Sequence, residues 1–116
     1  MPWAILFHDG FEPEFDAFPA DVQNEILAAA IVLRERGPSL GRPLVDTLNG
    51  SKHANMKEIR FKAGDGVWRV AFAFDPERQG ILLCAGDKSG GSQKRFYKQL
   101  LKVADDRFDE WLKRGR

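Results

Sequence analysis

Cysteine is almost absent from this sequence: Cys84 is the single example, inside the apolar run 81–85. One thiol excludes an intrachain disulfide and a thiolate metal cluster, and its apolar neighbours make it a small buried hydrophobe. Histidine is nearly as scarce. His8 and His53 stand apart, with no HxxxH and no Cys/His spacing, so neither a metal site nor a cofactor is expected. His53 falls in a polar loop and is expected to be solvated; His8, at a strand end, is expected to be partly buried or structural. No Ser/His/Asp or Cys/His nucleophile arrangement has a local signature. Gly86-Asp87-Lys88-Ser89-Gly90-Gly91 lacks the GxxxxGK[ST] spacing of nucleotide hydrolases, although flexible backbone ahead of a helix is a ready anion site. Long apolar runs are missing too, since no segment approaches the ~20 residues of a membrane helix. The N-terminal MPWAILFHDG has no basic lead and too short an apolar run for a signal peptide. These absences point to a cytoplasmic protein.

Charge is missing in blocks rather than overall. The formal net charge is +1, yet residues 9–33 hold Asp9, Glu12, Glu14, Asp16, Asp21 and Glu25 without one Lys or Arg. Residues 88–102 hold Lys88, Lys94, Arg95, Lys98 and Lys102 without one acid. Such asymmetry favours a two-sided molecule with one anion-seeking face.

What is present suffices for a single domain over residues 1–116, with 43% hydrophobic and 30% charged residues, ordinary values for a globular protein. A short strand is predicted over residues 3–8, ended by Asp9-Gly10, and a helical turn over 11–18 with Phe11, Phe15 and Phe18 on one side. Pro19 restarts a helix at its first position. Val22, Ile26, Ala29, Ala30 and Leu33 form its buried stripe, and Gly37-Pro38 stops it. Residues 39–55 are expected to be a loop pinned by Leu40, Leu44, Val45 and Leu48.

The organising stretch is 56–102. It predicts strands over 56–62, 67–74 and 81–85, joined by turns at Ala63-Gly64-Asp65-Gly66 and at Asp75-Pro76-Glu77-Arg78-Gln79-Gly80. Trp68, Val70, Phe72 and Phe74 share one face of the second strand. Arg69 lies on the other with only Ala71 and Ala73 beside it, which leaves open space and suits a concave surface. Ser92 is a fitting N-cap, and Phe96, Tyr97, Leu100, Leu101, Ala104, Phe108, Trp111 and Leu112 recur at helical spacing almost to the C-terminus. The order β-α-α-β-β-β-α predicts an α+β fold. In it a small, mostly antiparallel four-stranded sheet carries two N-terminal helices on one face, and the other face is partly open beside the C-terminal helix.

The strongest chemical feature is the cation set Lys57, Arg60, Lys62, Arg69, Lys88, Lys94 and Arg95, interleaved with Trp68 and Tyr97. Two readings stand side by side: a solvated basic surface, or a surface that holds a nucleic-acid backbone through its phosphates. An RNA nuclease needs little more, because the 2′-hydroxyl supplies the nucleophile and the protein only aligns it, neutralises the phosphate and moves protons.

The chain resembles the RelE/ParE superfamily of toxins from type II toxin–antitoxin modules, in its HigB-like, phage Gp49-related branch. The pieces that carry the resemblance are Leu48-Asn49-Gly50, Met56-Lys57-Glu58-Ile59-Arg60-Phe61, Trp68-Arg69-Val70-Ala71-Phe72, Ala85-Gly86-Asp87-Lys88 and Lys94-Arg95-Phe96-Tyr97-Lys98, in that order over nearly the full length. The resemblance implies a RelE-like domain that cuts mRNA on the ribosome without a metal and so inhibits translation. It also implies a helix-turn-helix antitoxin as partner, with operator DNA contacted only through that antitoxin. Arg69, Lys88 and Tyr97 take the catalytic positions: Arg69 stabilises the phosphate, Lys88 closes the last strand, and Tyr97 activates the 2′-hydroxyl. Lys57, Arg60, Lys62, Lys94 and Arg95 are expected to bind RNA. Neighbouring cations are expected to bring Tyr97 below the ordinary tyrosine pKa of ~10. Tyr97 can equally be a core residue of the helix stripe. Two other roles share this fold: a ParE-like poison of DNA gyrase without nuclease chemistry, and a non-catalytic phage or host interaction module.

Overall fold

A computed structural model of the chain describes residues 2–114. Strand β3 (Lys57–Ala63) turns at Gly64-Asp65 into the antiparallel β4 (Gly66–Phe74). Gly64 has φ +57 there, a left-handed backbone that glycine adopts without a steric penalty. The next turn leads into β5 (Gln79–Asp87), antiparallel to β4 and longer at both ends than its apolar run. Asp75 shapes that turn, its Oδ1 accepting from the N–H groups of Glu77 and Gln79, each at 2.9 Å.

The expected four-stranded, mostly antiparallel sheet is corrected on two counts. With β1 at Ala4–Phe7 and β2 at Val45–Thr47, the described sheet has five strands, in the order β1-β5-β4-β3-β2, and it is mixed. Strand β2 (Val45–Thr47) lies in the segment expected to be a loop and pairs antiparallel with β3. Three residues are too few to carry a readable alternation. Strand β1 (Ala4–Phe7) runs parallel to β5, with Leu6 opposite Ile81. That pairing is possible because the helices and hairpins between the two strands serve as the crossover a parallel pair requires.

Helices cover both faces. The short α1 (Glu12–Asp16) and α2 (Ala20–Arg36) take one side, with Pro19 at the N-cap of α2 rather than inside its first turn. Phe11, Phe15, Val22, Ile26, Ala29 and Leu33 meet Ile59, Val70, Phe72, Phe74 and Leu82 there. Ala30, expected in the same stripe, is only half-buried. On the opposite face α3 (Gln93–Arg114) lays Leu100, Ala104 and Phe108 on Ala71, Ala73, Ile81, Leu83 and Cys84. Its first turn is capped as expected, Ser92 Oγ accepting from the Arg95 N–H at 3.2 Å. Pairing of Phe72 with Leu82 and of Ala71 with Cys84 leaves Leu83 as an extra residue, a β-bulge. Leu83 and Cys84 therefore both contribute to the α3 side, and the 81–85 run reads as continuously apolar.

Side-chain pairs fasten the C-terminal half of α3. Arg107 makes two hydrogen bonds to Glu14, at 2.9 and 2.7 Å. Buried His8 accepts the Gly10 N–H on Nδ1 at 2.9 Å and meets Glu110 Oε1 through Nε2 at 3.0 Å, the structural role expected of it. His53 is not solvated as expected. It is half-buried, its Nε2 lies 2.8 Å from Asp109 Oδ1, and its ring meets Phe108 edge-on. Cys84 is buried as expected, which pushes its thiol up to about 12. Among the described residues no helix is long and apolar enough to cross a membrane.

Candidate active site

Strand alternation sets out the site. Glu58, Arg60 and Lys62 of β3 share the α3 side of the sheet, and β4 places Arg69 directly opposite Arg60. Tyr97, in the first turns of α3, comes down on this pair from above. Its hydroxyl donates to Glu58 Oε1 at 3.0 Å and accepts from Arg69 Nε at 3.2 Å. Arg69 Nε is also 3.7 Å from Glu58 Oε1, and Arg69 Nη1 donates to the Trp68 carbonyl at 2.9 Å. Acid, cation and phenol thus meet at one point.

Arg69 does project away from the Trp68/Val70/Phe72 face, but the open space expected around it is filled. The residue is 5% exposed, as is Glu58. The two alanines beside Arg69 leave room for the Tyr97 ring and the Glu58 carboxylate rather than for solvent. Two charges buried this deeply require each other, because an unpaired one would be strongly disfavoured. Arg69 Nη2 has no partner among the described residues, and none of their side-chain nitrogens or oxygens is both fully buried and unpartnered. Nη2 therefore reaches the surface.

The proton on Tyr97 is held more tightly than expected. Burial pushes the phenol above its ordinary value, the Glu58 charge and hydrogen bond push the same way, and the Arg69 hydrogen bond opposes them only in part. Expecting cations to lower it overlooked the acid beside them. The ring does pack against the core beneath α3, so Tyr97 is both a core aromatic and a member of the polar cluster.

The remaining cations divide into three groups. Arg60 is half-exposed, with Nη1 3.3 Å from Asp46 Oδ2 and 3.9 Å from Glu58 Oε2. Asp46 comes from β2 and also holds Arg42 at 2.7 Å, a hydrogen bond that keeps the Asp46 carboxyl below the usual range. Lys62, Lys88, Lys94 and Arg95 have no side-chain partner among the described residues, Lys88 half-buried and the others exposed. Lys57 does not join them. It alternates with Ile59 and Phe61 and so faces the α2 side of the sheet. The sequence reading also passed over Glu58 and Asp46. For Glu58 a signal existed, as the one acid in a strand whose period puts it on the face of Arg60 and Lys62. Asp46 could not be found while its strand was taken for a loop.

Comparison with known proteins matches this architecture to a family. Residues 13–109 match the model of the family described as phage derived protein Gp49-like (DUF891). The putative toxin HigB3 of Mycobacterium tuberculosis (strain ATCC 25618 / H37Rv) is 43% identical over 109 residues, covering 94% of this chain and 93% of that protein. The putative toxin HigB2 of the same organism is 50% identical over 88 residues, covering 75% of this chain and 43% of that longer protein. A mutant of the E. coli toxin RelE, solved in the free state, superposes with a TM-score of 0.63 at 13% identity, covering 92% of this chain and 98% of that one. RelE of the archaeal RelE–RelB complex from Pyrococcus horikoshii gives 0.57 at 16% identity, covering 78% and 100%. The two solved structures share the fold, and the family match and the HigB relatives extend the likeness to the sequence. The chain belongs to the Gp49-like family, counts HigB-type putative toxins among its relatives and shares the fold of RelE.

Proposed function

We propose that the chain is the toxin of a type II toxin–antitoxin module and cuts mRNA on the ribosome without a metal ion. One observation carries this reading: buried Glu58 and Arg69 and half-buried Tyr97 converge at a point that Arg69 Nη2 opens to the surface. The 2′-hydroxyl of the RNA attacks the neighbouring phosphorus, and the protein supplies a proton acceptor and positive charge. Tyr97 takes the 2′-hydroxyl proton while its own moves to Glu58, which already accepts that hydrogen bond. The burial that raises Tyr97 keeps it protonated until then. Arg69 stays cationic throughout and neutralises the five-coordinate phosphorus through Nη2. Lys88 stabilises the leaving oxygen, and Arg60, Lys62, Lys94 and Arg95 hold flanking phosphates.

The partner in this reading is a helix-turn-helix antitoxin that masks the cationic face, with operator DNA reached only through it. An archaeal relative in fold solved together with RelB supports a protein partner. The test is primer extension on mRNA bound to programmed ribosomes. Glu58→Gln and Tyr97→Phe are expected to slow cleavage by about 10²–10⁴ while circular dichroism remains that of the wild type. Tyr97→Phe cutting at the wild-type rate would remove the relay. Expression that triggers DNA-damage signalling with translation intact would replace the nuclease by a gyrase poison.

A further inference from the structure

A cleft of about 590 Å³ lies along the outer side of β5, and of its lining only Lys88 and Arg95 enter the reaction described above. β1 pairs only with residues 79–82, so among the described residues the outer edge of the far half of β5 has no strand beside it. Residues 84–88 line the cleft along that edge, together with Phe18 from the segment before α2 and Phe96, Leu100 and Val103 of α3; Lys88 and Arg95 also border it. The Lys88 N–H donates to the Val67 carbonyl at 2.8 Å, towards β4. Alternation along an antiparallel pair then turns the N–H and C=O groups of Ala85 and Asp87 away from β4 and towards the cleft. The Leu83 carbonyl is already covered by Arg107 Nη1 at 2.8 Å, which closes the free edge at that end.

The size of this free edge discriminates between occupants. Two outward-facing residues are few for an added strand, since strands typically run about 5–6 residues, but they suit the donor and acceptor edge of one base. The volume lies within the ~300–1,000 Å³ usual for pockets that take small organic groups. Phe96 lies against the backbone at Gly86, where a Cβ would come within 2.9 Å of the ring. The same ring meets Tyr97 edge-on at 5.2 Å, so the cleft and the reacting centre share a wall. An aromatic side chain, free backbone donors and acceptors, and two unpartnered cations form the combination that holds an unstacked base and its phosphates.

We propose that this cleft is a nucleobase pocket: it takes one unstacked base of the RNA next to the scissile phosphate and gives cleavage its sequence preference, a role that presupposes the RNA-cutting reaction proposed above. The experiment begins with isotope-labelled protein and trinucleotides carrying 2′-O-methyl groups, which cannot be cleaved through the 2′-hydroxyl. The amides of Ala85, Asp87 and residues 90–92 are expected to shift on titration. Val103→Trp, which fills the cleft from α3, is expected to weaken binding on the order of tenfold, the effect of losing one stacked base. On programmed ribosomes the same variant is expected to keep cutting but to lose the wild-type preference among cut sites. Shifts confined to the Arg69–Tyr97 side, or an unchanged map of cut sites in Val103→Trp, would overturn the pocket. Unchanged RNA behaviour combined with lost antitoxin binding would also overturn it and make the cleft a protein-docking groove. Shifts at Ala85 and Asp87 in a protein that cuts no RNA would keep the pocket as a base site and sink only the nuclease reading.

Discussion

The two faces of the sheet are built from different material. Beneath α2 the buried residues are mostly large and all apolar, with Phe11, Ile26, Leu33, Phe72 and Leu82 fully enclosed. Beneath α3 small residues recur, among them Ala71, Ala73, Cys84 and Ala104. All three buried polar or charged side chains of the described residues bond towards that helix: His8 to Glu110, and Glu58 and Arg69 to Tyr97. Small side chains let the helix approach closely and leave room for a polar cluster that large ones would exclude. The division of labour has a physical logic. A dry aromatic face contributes stability through buried area, which allows the opposite face to hold charges that contribute little or nothing net.

The largest effect that would sharpen this contrast is expected from Arg69→Ala. Cleavage should fall by about 10²–10³, the usual loss on removing a preorganised charge. The fold should also suffer, by about 3–5 kcal/mol, because the buried Glu58 carboxylate loses its close cation. Urea denaturation measures the second effect, and a variant as stable as wild type would mean that the Glu58–Arg69 pair is not closed. Phe72→Ala, on the other face, should cost a similar 3–5 kcal/mol through the cavity it leaves, yet leave the cleavage rate per folded molecule unchanged. A large rate loss in folded Phe72→Ala would break the separation of the two faces.

The smallest effect is spectroscopic and concerns the only tyrosine in the sequence. An ultraviolet titration of tyrosinate therefore reports on Tyr97 alone. Its midpoint should lie above the ordinary value of ~10, from burial first and then the Glu58 charge. The folded state favours the protonated phenol, so this contribution to stability is fully present below the unfolded pKa and is lost as pH rises through the raised folded one. Glu58→Gln should move the midpoint back down. A midpoint at or below the ordinary tyrosine value in the wild type would mean that the neighbouring cations dominate after all.

Much of this was legible in the sequence, and what was not has identifiable causes. The period-two face of β4, the α2 stripe, the Ser92 cap and the α3 stripe are local patterns with enough residues to repeat. Strand β2 is three residues long, and the parallel partner of β1 lies more than seventy positions away in the chain, so neither leaves a local trace. The cations were visible as a set, but their state was not. Arg69 looked exposed because its strand neighbours are small, and only the approach of Tyr97 and Glu58 from other elements reveals what the alanines make room for. His53 looked solvated for the same reason: its partner Asp109 sits on a helix that begins forty residues further on.

The bulge at Leu83 also decides the sign of a charge. Beyond it Cys84, Gly86 and Lys88 fall in line with Ala71, Arg69 and Val67. Were β5 to slip by one residue and smooth the bulge out, every later side chain would change sides. Ala85 and Asp87 would then face α3, and a carboxylate would stand where the Lys88 ammonium now does. The surroundings of Arg69 would turn from anion-attracting to anion-repelling without any change in composition. Deleting Leu83 outright would do the opposite, removing the surplus residue while keeping Gly86 under Phe96 and Lys88 on its present side. In this strand a missing residue is a milder change than a misplaced one.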